Sequence, residues 1–161
     1  MAISLDLHDY DNAEQMVYTI ADAYFAFLEQ HGDAAAEQLS DEQHTLMAYV
    51  YLDSMVQEGG FVALIASGYG EYVLLNPLVD SLRRWKIKPT PKILDKAKQL
   101  YQQVGAQIEA VAESGESVEN LRQKFNQFED LDGDYYEVAE GDMNAVAQYI
   151  AENKKKFCLS E

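Results

Sequence analysis

The chain has 161 residues, 48% of them apolar, and a formal net charge of −16 from 28 acidic and 12 basic side chains. That length suits one domain with a real core, and the apolar content argues against disorder. The charge opposes direct contact with nucleic acid or anionic lipid, because like charges repel over a Debye length of roughly 8–10 Å, and it favours basic partners.

The opening stretch, MAISLDLHDYD, has no basic n-region and no apolar h-region, so no signal peptide is expected. Residues 12–31 place Met16, Val17, Ile20, Tyr24, Phe27 and Leu28 on one stripe, and Gly32 stops that helix. Ser40 with Gln43 forms a capping-box pattern that opens a helix running through Leu46, Met47, Val50 and Val56 to Gly59-Gly60. Phe61–Ala66 reads as a short buried helix. A further helix covers about 71–85, and Pro77 either kinks it or starts its main part. Thr90-Pro91 signals a cap and first residue for a long helix over about 91–113. Ser114-Gly115 breaks that helix, and Ser117 caps another over about 118–128. Residues 129–141 read as loop, and a last helix covers about 142–153. Strand alternation is scarce. The expectation is an all-α, single-domain compact helical bundle of about six to eight helices, spanning residues 1–161.

The apolar runs Phe61–Ala66 and Tyr72–Leu75 fall far short of the roughly 20 residues of a membrane span, so no membrane partner is expected. Cys158 is the only cysteine. An internal disulfide is therefore excluded, and a reducing, cytoplasmic compartment is the expected location.

Charge is segregated along the chain. Residues 1–82 hold 14 acids and no Lys or Arg. Residues 83–98 then hold seven bases (Arg83, Arg84, Lys86, Lys88, Lys92, Lys96 and Lys98) against Asp95 alone, and three lysines, Lys154–Lys156, close the tail. Without bases, the first stretch cannot form the i,i+4 ion pairs that lace most helical surfaces. Its carboxylates must face water, a distant basic segment or a partner. The basic segment either pairs with acidic faces inside the fold, the preferred reading, or forms a self-association surface.

Catalytic and metal constellations are sparse. HExxH, CxxC, P-loop and GxSxG patterns are all missing from the sequence. Asp41 and His44 stand at i,i+3 on an expected helix, but a di-iron bundle needs two Glu-x-x-His motifs and two further glutamates, so a surface pair is the better reading. Asp130-Leu-Asp132-Gly-Asp134 resembles the start of a calcium loop. Positions 6 and 12 of that loop fall on Tyr135 and Gly141, where glycine and glutamate are required. No cofactor, no metal site and no catalytic residue are expected. Cys158 reads as a plain tail cysteine beside the lysines.

On a wheel of about 100° per residue, Asp11, Asp22 and Glu29 fall within about 20° of one another, opposite the apolar stripe, with Glu14 to one side. Asp33, Glu37, Asp41 and Glu42 continue the acidic run. Carboxylates pre-positioned on rigid helices present to an Arg/Lys cleft what phosphates spaced at roughly 3.4 Å per strand present on duplex DNA.

Met55-Val-Gln-Glu-Gly-Gly-Phe61 and the short apolar helix after it carry a resemblance. It continues through Leu78–Arg84, the Thr90-Pro91 helix, Phe125 with Phe128-Glu-Asp-Leu-Asp-Gly-Asp-Tyr-Tyr136, and Tyr149-Ile150-Ala-Glu-Asn153. Over about residues 45–153 the chain resembles a bacterial family of small all-helical DNA-mimic proteins. The resemblance implies a homodimer that imitates duplex DNA, binds a helix-turn-helix transcription factor, and uses no catalysis, no cofactor and no direct nucleic-acid contact. The matching residues themselves read as structural: Gly59 and Gly60 end one helix and admit the next closely, while Phe61, Phe125, Phe128, Leu131 and Tyr149 read as core.

The partner-binding carboxylates are accordingly expected at Asp11, Glu14, Asp22, Glu29, Asp33, Glu37, Asp41 and Glu42, and secondarily at Asp130, Asp132 and Asp134. The alternatives are an acidic adaptor for a basic protein that is not a DNA binder, and a metal-binding protein.

Overall fold

Apolar residues recurring at helical spacing organise the chain into six α-helices among the described residues. They are α1 (Ala13–His31), α2 (Asp41–Ala66), α3 (Leu78–Arg84), α4 (Pro89–Glu113), α5 (Val118–Lys124) and α6 (Glu129–Glu152). Short 3-10 turns lie at Leu7–Asp9, Asp33–Gln38, Asn126–Phe128 and Lys154–Lys156, and a π-helical turn at Glu71–Leu75. The computed structural model describes residues 3–75 and 78–158, so the expectation placed on Pro77 lies outside the described residues. No strand occurs among the described residues, and the fold is all-α. Two compact units contain the helices. The first is formed by the chain up to Val50 together with the chain from Glu140 onward, the second by Tyr51–Ala139.

In the first unit, Asn12 caps α1 by accepting the Gln15 amide (2.8 Å), and Gln15 reaches back to accept the Asp11 amide (2.7 Å). α1 buries Met16, Val17, Ile20, Ala21 and Tyr24. Phe27 and Leu28, expected in the same stripe, are only half-buried. Gly32, at φ 87°, ends the helix. The capping box at the start of α2 is formed in both directions: Ser40 Oγ accepts the Gln43 amide (3.1 Å) and Gln43 Oε1 accepts the Ser40 amide (2.7 Å). Gln43 is buried because its Nε2 also donates to the carbonyls of Phe157 (3.2 Å) and Cys158 (3.0 Å). Ser40 Oγ donates to the Lys156 carbonyl (2.8 Å), and the buried Tyr24 hydroxyl donates to the Phe157 carbonyl (2.6 Å). Polar caps thus hold the tail turn while Phe157 fills the core.

The second unit turns on the break inside α2. Gly59 (φ −149°) and Gly60 (φ 77°) leave helical geometry, so the helix restarts at Phe61 with an exposed-amide problem of its own. A side chain from α6 solves it: the Phe61 amide donates to Asp132 Oδ1 at 2.8 Å. A Cβ on Gly60 would lie 2.3 Å from Asp132 Oδ2, so residue 60 must be glycine for both its φ and its space. Tyr135 donates to Asp53 Oδ1 (2.6 Å) and Tyr136 to the Val56 carbonyl (2.8 Å), fixing α6 to the part of α2 that precedes the break. The Phe61 ring lies 6.3 Å from both Phe128 and Tyr135.

Three sequence expectations need correction here. Residues 129–141 are helix, the first half of α6, because Phe128, Leu131, Asp132, Tyr135 and Ala139 form one buried stripe, and acids in the first turn favour a helix start. The helix α4 begins at Pro89, not at a Thr90 cap. Pro89 has no amide to leave unsatisfied, and Thr90 is fully buried in the first turn. Tyr149 is half-buried and covered by Lys156, whose ammonium lies 5.8 Å from the ring centroid, while Phe61, Phe125, Phe128 and Leu131 are buried as expected.

Gly60→Ala is expected to cost about 2–4 kcal/mol, from left-handed backbone strain and displacement of the Asp132 carboxylate. Gly133→Ala, on an open face of α6 with nothing within 4 Å of the added Cβ, is expected to stabilise by up to about 1 kcal/mol. Urea unfolding of the two variants checks both; equal effects would refute the account of the break.

Candidate functional site

Charge divides unequally between the units. Residues 1–50 and 140–161 hold 14 acids against three lysines, whereas residues 51–139 hold 14 acids against nine bases. In the first unit, Asp11, Glu14, Asp22, Glu29, Asp33, Glu37 and Asp41 are exposed and Glu42 is half-buried. None of the eight carboxylates belongs to an ion pair among the described residues. In that unit, Asp6 pairs with Lys154 instead.

The eight do not form a single helical row. Asp11 precedes the Asn12 cap and so lies off the α1 wheel. Asp33 and Glu37 sit on the 3-10 turn. Glu14 lies in the first turn of α1, and Asp41 and Glu42 in that of α2, where a negative charge meets the positive end of the helix dipole. These three have a structural use that needs no partner. Asp22 and Glu29 have none. They stand seven residues apart on the exposed face of α1, about 10 Å at a rise of roughly 1.5 Å per residue. Glu29 lies near the carboxyl end of the helix, where the dipole disfavours it. A charge kept where it weakens its own helix is the strongest functional candidate in the set.

The second group separates. Asp130 and Asp134 are exposed on α6, but Asp132 is buried at 4% exposure. It receives the Phe61 amide and lies 3.7 Å from Arg122 Nη2, so it is a structural carboxylate turned inward, not a surface charge. Burial pushes its pKa above 3.8, against the lowering effects of the Phe61 amide and Arg122. Sequence reasoning missed this role, although Asp132 stands four residues after Phe128 and three before Tyr135, inside the buried stripe.

In the basic segment one base, Arg83, belongs to ion pairs among the described residues. Arg83 pairs with Asp95 and lies 3.9 Å from Asp80, and Arg84 donates to Ser81 Oγ (3.0 Å). Among the described residues, no three His, Cys, Asp or Glu side chains converge as metal ligands, and no helix is long and apolar enough to cross a membrane.

Fold and surface together define a class: an all-α acidic protein that displays exposed carboxylates, those of α1 outside any ion pair among the described residues. A family model described as DMP19-like protein matches residues 37–153, and the chain belongs to that family. A relative from Neisseria meningitidis serogroup B, named DNA mimic protein DMP19, is 55% identical over 142 residues, which cover 88% of this chain and 86% of that protein.

Two outcomes follow from the geometry. Glu29→Gln is expected to raise the unfolding free energy and Glu14→Gln to lower it, each by about 0.3–1 kcal/mol at low salt; changes of the same sign in urea titrations would contradict the dipole argument. Asp132, with its pKa raised on folding, favours the native state when protonated. Its contribution is complete below 3.8 and is lost as pH rises through the raised value. The stability of the wild type relative to Asp132→Asn should therefore fall across that window, and a pH-independent difference would contradict it.

Proposed function

We propose that this protein is a DNA mimic: its acidic surface occupies the DNA-binding site of a DNA-binding protein. The carrying observation is the set of exposed, unpaired carboxylates centred on Asp22 and Glu29. It is supported by 55% identity to a protein named a DNA mimic. The partner is a helix-turn-helix transcription factor, which is thereby kept from its operator. The role needs no catalysis, because the carboxylates act by charge alone. Arg and Lys side chains that meet phosphates in a DNA cleft meet carboxylates here, in charge-assisted hydrogen bonds. The protein acts as a homodimer, in the cytoplasm, where an exposed thiol such as Cys158 stays reduced.

Asp22, Glu29, Asp33 and Glu37 carry the largest share, because they are exposed and none of them serves a cap at the start of an α-helix. Asp11, Asp130 and Asp134 add to the field.

The immobilised protein should retain a DNA-binding protein from host lysate at low salt and release it to duplex DNA. A partner that leaves with salt but resists DNA would make the protein an acidic adaptor instead. With the partner in hand, Asp22→Asn combined with Glu29→Gln is expected to weaken binding by about 1.5–3 kcal/mol, tenfold or more, and to flatten its salt dependence. Unchanged affinity at low salt would remove α1 from the contact surface.

A further inference from the structure

The second unit contains a cleft of about 600 Å³ that no step above uses. Gly59, Val62, Phe125 and Phe128 line it with apolar surface, and Val118, 39% exposed, stands at its edge. At the cleft's wall Gly59 lets α5 approach closely: a Cβ there would lie 2.7 Å from Ala63 Cβ and 3.2 Å from Val118 Cγ1. Its polar wall carries four carboxylates, Glu58, Glu119, Glu129 and Asp132, and one guanidinium, Arg122. Asp132 is engaged by the Phe61 amide and offset by Arg122 at 3.7 Å. Glu58, Glu119 and Glu129 are exposed and belong to no ion pair among the described residues.

An apolar floor under a wall of uncompensated negative charge selects one chemistry, a cation on an aliphatic stem. The stem covers the floor and the charged head stays at the wet rim among carboxylates, as long basic side chains do on amphipathic surfaces. We propose that this cleft docks an arginine or lysine side chain presented by a basic segment of a partner protein. The proposal rests on the cleft's own charge complementarity and stands whether or not the first unit mimics DNA.

The test is a titration of the isotope-labelled full chain, read by amide chemical shifts. The probe is a capped pentapeptide with a central arginine flanked by leucine and alanine. A counterpart with norleucine in place of arginine is the neutral control, and agmatine supplies the free small cation. The arginine peptide should give saturable shifts at Gly59, Val62, Val118, Arg122 and Phe125, with a Kd on the order of 1 mM. Glu58→Gln combined with Glu129→Gln should weaken it about threefold to tenfold. The variant's own spectrum reports whether it is folded. Should it not fold, single Glu58→Gln, at an exposed side chain outside every ion pair among the described residues, carries the same comparison. Equal binding of the norleucine peptide would overturn the proposal. So would unsaturated shifts spread over all acidic faces, tighter binding of agmatine than of peptide, or shifts at the cleft that follow protein concentration alone, which would put a second copy there.

Discussion

A single hydrogen bond organises the second unit, from the Phe61 amide to the Asp132 carboxylate. The break at Gly59-Gly60 creates a second helix start inside α2, and a helix start left without a partner for its amides is costly. The carboxylate satisfies the amide and complements the helix dipole. The cost is a buried negative charge in a chain already at −16, offset by the same amide and by Arg122. Glycine at 60, aspartate at 132 and the tyrosines at 135 and 136 are therefore one device. The two most distinctive segments of the family resemblance meet in space through these bonds.

The first unit reaches order by a different route. Its surface charges repel, and three lysines are its only bases. Its capping groups compensate. Ser40, Gln43 and Tyr24 each bond a carbonyl of the tail turn, and those neutral hydrogen bonds do not weaken with salt or depend on surface charge. The chain thus holds its fold with buried neutral contacts and leaves its carboxylates outside.

Much of this was legible in the sequence. The 3.6-residue periodicity located α1, the glycine pair located the break in α2, and Thr90-Pro91 signalled the long α4 to within two residues of its start. The Ser40-Gln43 spacing announced a capping box that forms in both directions. Residues 129–141 read as loop because two glycines and six acids look like a loop when counted as composition. Counted as positions, Phe128, Leu131, Tyr135 and Ala139 make an unbroken stripe, and Asp132 falls within it while Asp130 and Asp134 do not. Periodicity alone would have separated the structural aspartate from the surface pair. The cleft beside Gly59 was not legible, because it depends on α5 approaching a residue about sixty positions earlier in the chain, a distance no local pattern reports.

Seven of the chain's 12 bases are gathered at 83–98. Scattered at i,i+4 among the carboxylates of α1, the same bases would form helix-surface ion pairs, each worth a few tenths of a kcal/mol, and would cancel the field that a cationic partner senses. Gathered at 83–98 they leave α1 without a Lys or Arg; Arg83 pairs there with Asp80 and Asp95, and Asp22 and Glu29 belong to no ion pair among the described residues. Helix α1 thus lacks that small local stabilisation and holds its carboxylates in fixed positions. Pre-positioned charge of this kind speeds and strengthens electrostatic encounter, because little conformational freedom remains to be lost on binding.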